Sequence, residues 1–422
     1  MTVPDALAST AAVTAVAATS IAIAGRLGIR GFPDRVLAAL VLAAAQIVLT
    51  VEALSLLGSI GRAPLLAVHA TLALALVRGL PRPAAPWRAL RTAWTGADLP
   101  LRLLAIVTAA ATVTVALHAA LVPVRHDDSI TYHLPRIALY LQQRSLDAFP
   151  TPDLRQTALP ANAEILTLWQ MAVSGRNAGA PFLQLIAWLG TALGVYRLAR
   201  HVGAGLRPAA FAGLAFASLP AVVLQTTAAQ NDLTTAFFVV CALVFAGSGL
   251  ADRRRADLMV AGAALGLALG TKATALLATP ALAFVVLAGS ARAGRVLRRE
   301  VAWLGVSCVA GFLLLGSYFY AQNLRRYGHA TGSAAFADLG ALPRLDPQTA
   351  WSNLVRLGLR LSEPAGLVPP GTRLAGSVER AHARFAASVR ERLGVAARQP
   401  YDFMKGEYEE HGGLPIDADI TT

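Results

Sequence analysis

Residues 261–288 read AGAALGLALGTKATALLATPALAFVVLA, and Lys272 is their only charged side chain. A membrane-spanning helix needs about 20 consecutive apolar residues, so this stretch predicts a short span on either side of the lysine. The rest of the chain agrees: of 422 residues, 55% are hydrophobic and 14% are charged, whereas soluble proteins carry about 25% charged residues. The sequence therefore predicts a polytopic integral membrane protein.

Apolar runs of this kind recur along the chain. Because their lengths are typical of helices in a bilayer, we predict an all-α polytopic membrane protein, a helical transmembrane bundle with about ten spans and an outer-face helical loop. The first run lacks a basic segment before it, so it is predicted to be a retained span and not a cleaved signal. The predicted spans are 6–25, 36–57, 64–78, 102–122, 181–197, 208–227, 233–250, 257–270, 273–289 and 301–320.

Loop charges predict the orientation, because cytoplasmic loops carry the Arg and Lys excess. If the apolar stretch 160–174 does not cross, 18 basic residues fall in the segments on one side, and the short loops opposite hold only Arg62 and Lys272. If it crosses, this bias is lost, so we predict that 160–174 packs at the outer face. The predicted cytoplasmic segments are 26–35, 78–102, 197–207, 252–255 and 290–299. The predicted outer segments include the loop 123–180, the turn 230–232, Lys272 and the tail 321–422.

Composition and motifs also exclude several classes. The net charge of +13 does not predict nucleic-acid binding, because the arginines lie between apolar spans and form no single basic face. Cys241 and Cys308 fall inside apolar runs, which argues against a disulfide or metal framework. The sequence shows no Gly-rich phosphate loop and no spacing typical of metal ligands, so we predict no metal, no cofactor and no ATP-driven transport.

The loop 123–180 opens with two adjacent carboxylates, Asp127 and Asp128, directly after a span. Like charges at a poorly solvated surface raise the pKa of one carboxyl group, which suits a general base. The alternative is a solvated loop start, or an Asp128 that caps the following helix.

Further polar side chains follow in the same loop. Tyr132, Arg136 and Tyr140 are spaced four apart and would share one helix face, with His133 beside them. Arg136 is a candidate ligand for a phosphate or a carboxylate. The alternative is an interfacial belt of aromatic and Arg side chains, which we favour for Tyr140.

Four more candidates lie elsewhere on the predicted outer side. Glu164 stands in an apolar stretch and needs a partner, for which Arg155 is a candidate. Asp232, with Asn231 before it, is a helix cap or a site residue. Lys272 is a candidate contact for a phosphate at headgroup depth, and a lysine that only extends toward the interface is the alternative.

Four stretches carry a family resemblance over about residues 102–333. They are DDSITYHLPRIALYLQQRSLDAFPTPDLRQTALPANAEI (127–165), LPAVVLQTTAAQNDLTTAFF (219–238), LALGTKATALLATPAL (267–282) and YFYAQNLRRYGHATGS (318–333). Together they resemble the GT-C superfamily of membrane glycosyltransferases, especially its family 39-like bacterial branch, and the first stretch is the most specific.

The resemblance implies a polyprenyl-phosphate-linked sugar as donor, membrane lipid as surroundings and transfer on the outer face of the cytoplasmic membrane. It makes Asp128 the residue that serves as general base or positions the acceptor, with Asp127 as the neighbouring alternative. Asp232 resembles the family's second acidic position, and Lys272 resembles a lipid-phosphate contact. The expected substrate-binding residues are Tyr132, His133, Arg136, Arg155, Glu164, Asn231, Asp232 and Lys272.

The domain organisation departs from the family in two places. Residues 1–100 are expected to be additional N-terminal transmembrane helices before a core at 101–320. The tail 321–422 is expected outside the membrane, with a loose acidic end at 402–419. Its amphipathic helix at 376–394 is expected either to lie on the membrane or to cap a small domain.

The family usually continues with more spans after a segment like 408–417. A fragment, a split protein with a membrane partner that completes the spans, and an inactive relative each fit the sequence. A transporter or flippase of a lipid-linked or anionic substrate and a non-catalytic assembly subunit are the alternative functions.

Overall fold

The computed structural model describes residues 2–76, 96–176, 179–293, 297–332, 347–362 and 372–395. Within these ranges the regular elements are all helical, which confirms the predicted all-α class. The chain divides into two compact units, residues 1–337 and 338–422. Several predicted features lie outside the described residues: Arg78, Arg82, Arg88, Arg91, Arg295 and the segments 402–419 and 408–417.

The described residues of the first unit form a series of α-helices. Its described α-helices are α1 (Val3–Arg26), α2 (Phe32–Leu56), α3 (Arg62–Leu76), α4 (Leu99–Leu121), α5 (Leu134–Gln143), α6 (Arg155–Ala158), α7 (Asn162–Ser174), α8 (Phe182–His201), α9 (Leu206–Ala217), α10 (Pro220–Gln225), α11 (Asp232–Asp252), α12 (Arg255–Thr271), α13 (Thr279–Arg292), α14 (Arg298–Leu315) and α15 (Tyr318–Tyr327). A π-helical turn, Ser129–His133, precedes α5, and a 3-10 helix, Ala273–Ala278, precedes α13.

Six described helical segments are long and apolar enough to cross a membrane, and the bent pair α14 and α15 would make a seventh. The six are α1, α2, α4, α8, α11 and Ala273–Arg292. Length and composition therefore establish a multi-pass membrane protein. The shorter α3, α9 and α12 account for the rest of the ten predicted spans, whose crossing stays a prediction.

Two predicted spans differ from the structure. The span 208–227 is divided into α9 and α10, because the residue before Pro220 is disfavoured in a helix and Leu219 is extended. The span 301–320 ends at Leu315, and the chain bends by 64° between α14 and α15. Gly316 lies at that bend, where helix propensity is low.

The stretch 160–174 forms α7, whose 13 residues reach about 20 Å at 1.5 Å per residue. A hydrocarbon core of about 30 Å is thicker than this. Although α7 is short, it is buried: the Trp169 indole donates to His69 Nε2 of α3 at 2.9 Å. These dimensions agree with a helix that packs inside the protein without crossing.

The centre of the first unit is α11, which packs against α12, α8 and α13. In the most apolar 18-residue stretch of α11, 67% of the residues are buried inside the protein. In the corresponding stretch of Ala273–Arg292, 6% are buried. The helices α12 and α14, beside α11, approach closely through glycines. A Cβ at Gly262 would meet the backbone of Ser307, and one at Gly311 would meet the backbone of Gly262. This small-residue packing fixes α12, and therefore Lys272 at its end.

Gly311→Ala is expected to destabilise the protein by about 1–3 kcal/mol, because the new methyl group would overlap backbone atoms that cannot move aside. Gly305→Ala on the same helix is the matched control. Its Cβ would enter open space, and alanine favours a helix over glycine by about 1 kcal/mol. Thermal unfolding in detergent should therefore shift down for the first variant and not for the second; equal shifts would contradict the close packing.

The second unit contains two described helices, α16 (Pro347–Leu361) and α17 (Arg373–Arg392). Thr372 caps α17 by accepting a hydrogen bond from the Ala375 amide at 3.1 Å. The helix agrees with the one predicted at 376–394. Its Phe385 is 56% exposed, as the apolar side of an amphipathic helix can be before it meets a partner or a lipid surface.

Candidate active site

Lys272 and Asp232 form an ion pair where α12 ends and α11 begins. Lys272 Nζ lies 2.7 Å from Asp232 Oδ1. Asp232 is the first residue of α11, and Lys272 follows the last residue of α12. A carboxylate is stabilised at a helix N-terminus and a cation at a C-terminus, so both helix dipoles favour this placement. The side chains are 39% (Lys272) and 45% (Asp232) exposed, which leaves the pair accessible to a ligand.

Buried amides stabilise the ends of α12 and α14. The Asn162 amide donates to the Leu315 carbonyl at 2.6 Å and to the Leu267 carbonyl at 3.3 Å. The Asn231 amide donates to the Thr271 carbonyl at 3.5 Å. The last four carbonyls of a helix lack intrahelical partners, and these amides supply one to Leu315 at the end of α14 and one to Thr271 at the end of α12. Asn231 therefore holds the backbone beside Lys272 and is placed next to Asp232.

The start of the predicted outer loop docks onto the turn before α11. The Ser129 hydroxyl accepts a hydrogen bond from the Ala229 amide at 3.1 Å, and the Gln230 amide lies 3.1 Å from His126 Nδ1. These bonds join segments a hundred residues apart in the chain. They bring the carboxylates of Asp127 and Asp128 to the same end of the bundle as Asp232.

Asp128 has a basic neighbour in Arg155. Arg155 Nη1 lies 3.9 Å from Asp128 Oδ1, and its Nη2 lies 2.9 Å from Asp153 Oδ2. The guanidinium stacks 4.9 Å from the centre of the Tyr132 ring. The Asp153 hydrogen bond is the main reason why the pKa of Arg155 is raised. Asp128 is half-buried, whereas Asp127 is exposed.

Tyr132 lies among these charges. Burial raises the pKa of its phenol first, and the carboxylates of Asp128, Glu164 and Asp232 raise it further, while Arg155 acts in the opposite direction. The phenol therefore stays protonated at physiological pH and can donate a hydrogen bond to an anionic or hydroxyl oxygen.

Beneath Tyr132 lies a buried ionic cluster. Glu164 Oε1 is 2.8 Å from His133 Nδ1 and 3.6 Å from Arg136 Nη1, and the three side chains are at most 3% exposed. Burial alone would raise the pKa of the Glu164 carboxyl, but the charge and hydrogen bond of His133 and the charge of Arg136 hold it below its usual value. The structure thus gives Glu164 two partners, neither of which is the expected Arg155.

Arg136 is committed to contacts within the protein. Its Nε donates to the Tyr140 hydroxyl at 2.9 Å and its Nη2 to the Leu159 carbonyl at 2.6 Å. The guanidinium also lies 4.7 Å from the Phe319 ring centre. Arg136 was predicted to bind either a phosphate or a carboxylate. In the structure its guanidinium lies beside the Glu164 carboxylate. Tyr140 is fully buried, so its interpretation as an interfacial belt residue was wrong.

Two positioning residues were missed from the sequence. Ser129 links the loop to the turn, and Asn162 links α7 to α12 and α14. A polar Asn at the head of an apolar stretch was a usable signal, because a buried amide needs partners. Ser129 looked like any serine at the start of a helix. No local pattern indicated that its hydroxyl bonds to a distant turn.

Comparison with known proteins bears directly on this arrangement. Residues 164–317 match the family model of the dolichyl-phosphate-mannose-protein mannosyltransferases. The match confirms the predicted resemblance to the GT-C membrane glycosyltransferases and supports a glycosyltransferase that depends on a polyprenyl-phosphate-linked sugar. No curated protein and no solved structure matches the chain.

The match includes Glu164, Asn231, Asp232 and Lys272. The other predicted site residues precede it: Asp127, Asp128, Tyr132, His133, Arg136 and Arg155. Their placement beside the matched residues comes from the structure alone. Within the described ranges, no group of three or more His, Cys, Asp or Glu side chains could hold a metal ion.

Proposed function

We propose that this protein transfers a sugar, a hexose or a pentose, from a polyprenyl-phosphate donor to an acceptor hydroxyl on the outer face of the cytoplasmic membrane. One observation carries the proposal: the hydrogen bond from the Ala229 amide to the Ser129 hydroxyl joins the start of the Asp128 loop to the turn before α11, whose first residue, Asp232, pairs with Lys272 at 2.7 Å. It supports a site in which a base, Asp128, and a phosphate-binding cation, Lys272, lie at the same end of the bundle.

In the proposed reaction, Asp128 accepts the proton of the acceptor hydroxyl. The resulting oxygen attacks the anomeric carbon of the donor sugar, and the bond between that carbon and the phosphate oxygen breaks. The products are the glycosylated acceptor and polyprenyl phosphate. A positioned base of this kind contributes about 10²–10⁴ in rate. Asp127, one residue earlier and more exposed, is the alternative base.

Lys272 is proposed to stabilise the departing phosphate. Its ammonium carries three donors, and the Asp232 contact uses one of them. Two donors remain for phosphate oxygens on a side chain that is 39% exposed. The protonated Tyr132 phenol offers a further hydrogen bond. Positive charge and donors aimed at developing negative charge are the usual means of stabilising such a transition state.

The outer-face assignment rests on the distribution of loop arginines. The short loops predicted on the Lys272 side hold only Arg62 and Lys272, and the opposite ends of α11 and α12 carry Arg253, Arg254 and Arg255. We keep two related proposals with it: residues 1–100 as added helices, and the tail 321–422 outside the membrane. Labelling of a cysteine at position 254 from outside intact cells would overturn this orientation.

Lys272→Ala is expected to raise the KM for the polyprenyl-phosphate sugar about 10-fold or more, since hydrogen bonds to charged groups contribute about 1.5–3 kcal/mol. The exposed pair with Asp232 contributes at most about 1 kcal/mol to stability, so the variant should stay folded. Lys272→Arg should recover most of the affinity, and Arg62→Ala, which removes a cation from another predicted outer loop, should leave the KM unchanged. If the KM of Lys272→Ala equalled that of the wild type, Lys272 would not bind the donor phosphate.

A further inference from the structure

A charged cavity of about 540 Å³ lies at the ends of α12 and α14 away from Lys272. Four arginines and one carboxylate line it, with one aromatic ring. These residues are Arg253, Arg255, Arg298, Arg299, Glu300 and Trp303. A cavity of this volume is within the range of small-molecule and headgroup sites, about 300–1,000 Å³.

The fold brings these arginines together from two chain segments. Arg255 is the first residue of α12, and Arg298 and Arg299 are the first two of α14. The two helices run in the same direction and pack closely through glycines, so their N-termini are neighbours. Arg253 joins them because it adopts a left-handed conformation, φ 54°, that ends α11 sharply.

The cavity has an uncompensated positive charge. Among the described residues, none of its four arginines forms an ion pair, whereas the neighbouring Arg254 is held by Asp257 at 3.7 Å. Neither helix N-terminus has a side-chain cap, so both helix dipoles add positive potential despite an acidic residue in each first turn. Four arginines against Glu300 leave the cavity strongly attractive to an anion.

Trp303 distinguishes this cavity from loop arginines that only set the orientation of a membrane protein. The Arg255 guanidinium stacks 4.5 Å from the Trp303 ring centre, which fixes that side chain at the cavity wall. Tryptophan is enriched at headgroup depth. The positive-inside rule explains arginines in cytoplasmic loops. It does not explain why a tryptophan ring and a concave surface lie among them.

We propose that this cavity binds the phosphate of a lipid headgroup from the leaflet opposite the proposed active site. Basic pockets between membrane helices recognise such headgroups. Since α12 has 17 residues, the cavity lies on the order of 25 Å from Lys272 at 1.5 Å per residue. It is therefore separate from the proposed donor site, and the proposal does not depend on the enzymatic activity.

The test is native mass spectrometry of the full chain, released from detergent with phosphatidylglycerol or phosphatidylcholine at matched concentrations. The wild type should retain phosphatidylglycerol at least 10-fold more tightly than phosphatidylcholine. Arg255→Gln/Arg299→Gln should reduce the phosphatidylglycerol affinity about 5- to 10-fold. Arg30→Gln/Arg207→Gln removes equal charge from the same predicted side, outside the cavity, and should change it less than twofold. Circular dichroism and thermal unfolding verify that both double variants are folded.

Inorganic pyrophosphate distinguishes a lipid from a soluble source. If it does not displace phosphatidylglycerol from the wild type, the site recognises the lipid as a whole. If it displaces the lipid, or binds when the lipid does not, the phosphate group alone is recognised. Equal phosphatidylglycerol affinity in the wild type and the cavity variant, or an equal loss in both double variants, would overturn the proposal.

Discussion

Asp128→Asn is expected to slow sugar transfer by about 10²–10⁴, because an amide cannot take the proton of the acceptor hydroxyl. Asparagine keeps the size of the side chain, and Asp128 is half-buried with one distant ionic contact, to Arg155 at 3.9 Å. Donor affinity and thermal stability should therefore change little. The measurement is the initial rate of polyprenyl phosphate release from a polyprenyl-phosphate sugar, at saturating acceptor.

Two neighbouring aspartates serve as controls for this prediction. Asp147→Asn changes another carboxylate of the same loop, which accepts a hydrogen bond from Ser145 at 3.0 Å, and should retain the rate within twofold. Asp127→Asn separates the two candidate bases. If Asp127→Asn lost the rate and Asp128→Asn kept it, the base would be Asp127. If both variants kept it, neither aspartate would be the base.

Glu164→Gln is expected to destabilise the protein by about 3–5 kcal/mol, the typical cost of removing one partner from a buried ion pair. The neutral amide would leave the guanidinium of Arg136, which is fully buried, without its carboxylate. Thermal unfolding in detergent measures this loss. The control is Asp153→Asn, which breaks the exposed pair with Arg155 and should cost less than about 1 kcal/mol.

The pH dependence of stability follows from the same carboxylate. The pKa of Glu164 is held below its usual value in the folded protein, and in the unfolded chain it is about 4.3. Its contribution is therefore complete above the unfolded pKa and is lost as the pH falls through the folded pKa. Between pH 7 and pH 5 the wild type should keep this contribution. A Glu164→Gln variant as stable as the wild type at pH 7 would show that the cluster is not structural.

Much of the architecture could be predicted from the sequence. Apolar runs identify membrane helices because each must satisfy its own backbone hydrogen bonds within the bilayer. The isolated Lys272 marked the break between α12 and the following 3-10 helix. The distribution of charge in the loops predicted that 160–174 does not cross the membrane. The short, buried helix α7, of 13 residues, agrees with that prediction.

What the sequence could not supply is the partner of each polar side chain. Glu164 was expected to need a cation, but the choice of His133 over Arg155 depends on how α7 packs beneath the π-helical turn. Asp232 and Lys272 were separate candidates, and their ion pair arises because α11 begins where α12 ends. Tyr140 looked interfacial because helical spacing alone does not show that Phe319 and Phe149 cover it.

The central claim is that the chain cleaves a lipid-linked sugar at the Asp128 and Lys272 end of the bundle. Its most direct test uses membranes containing the chain and a polyprenyl-phosphate sugar, mannose first because of the family match, labelled in the sugar. The account predicts one polyprenyl phosphate released for each sugar transferred, with release slowed by about 10²–10⁴ in Asp128→Asn. The contrary result is that the intact labelled donor crosses the membrane without cleavage, to the same extent with the wild type and with Asp128→Asn. This result would contradict the account and indicate a transporter.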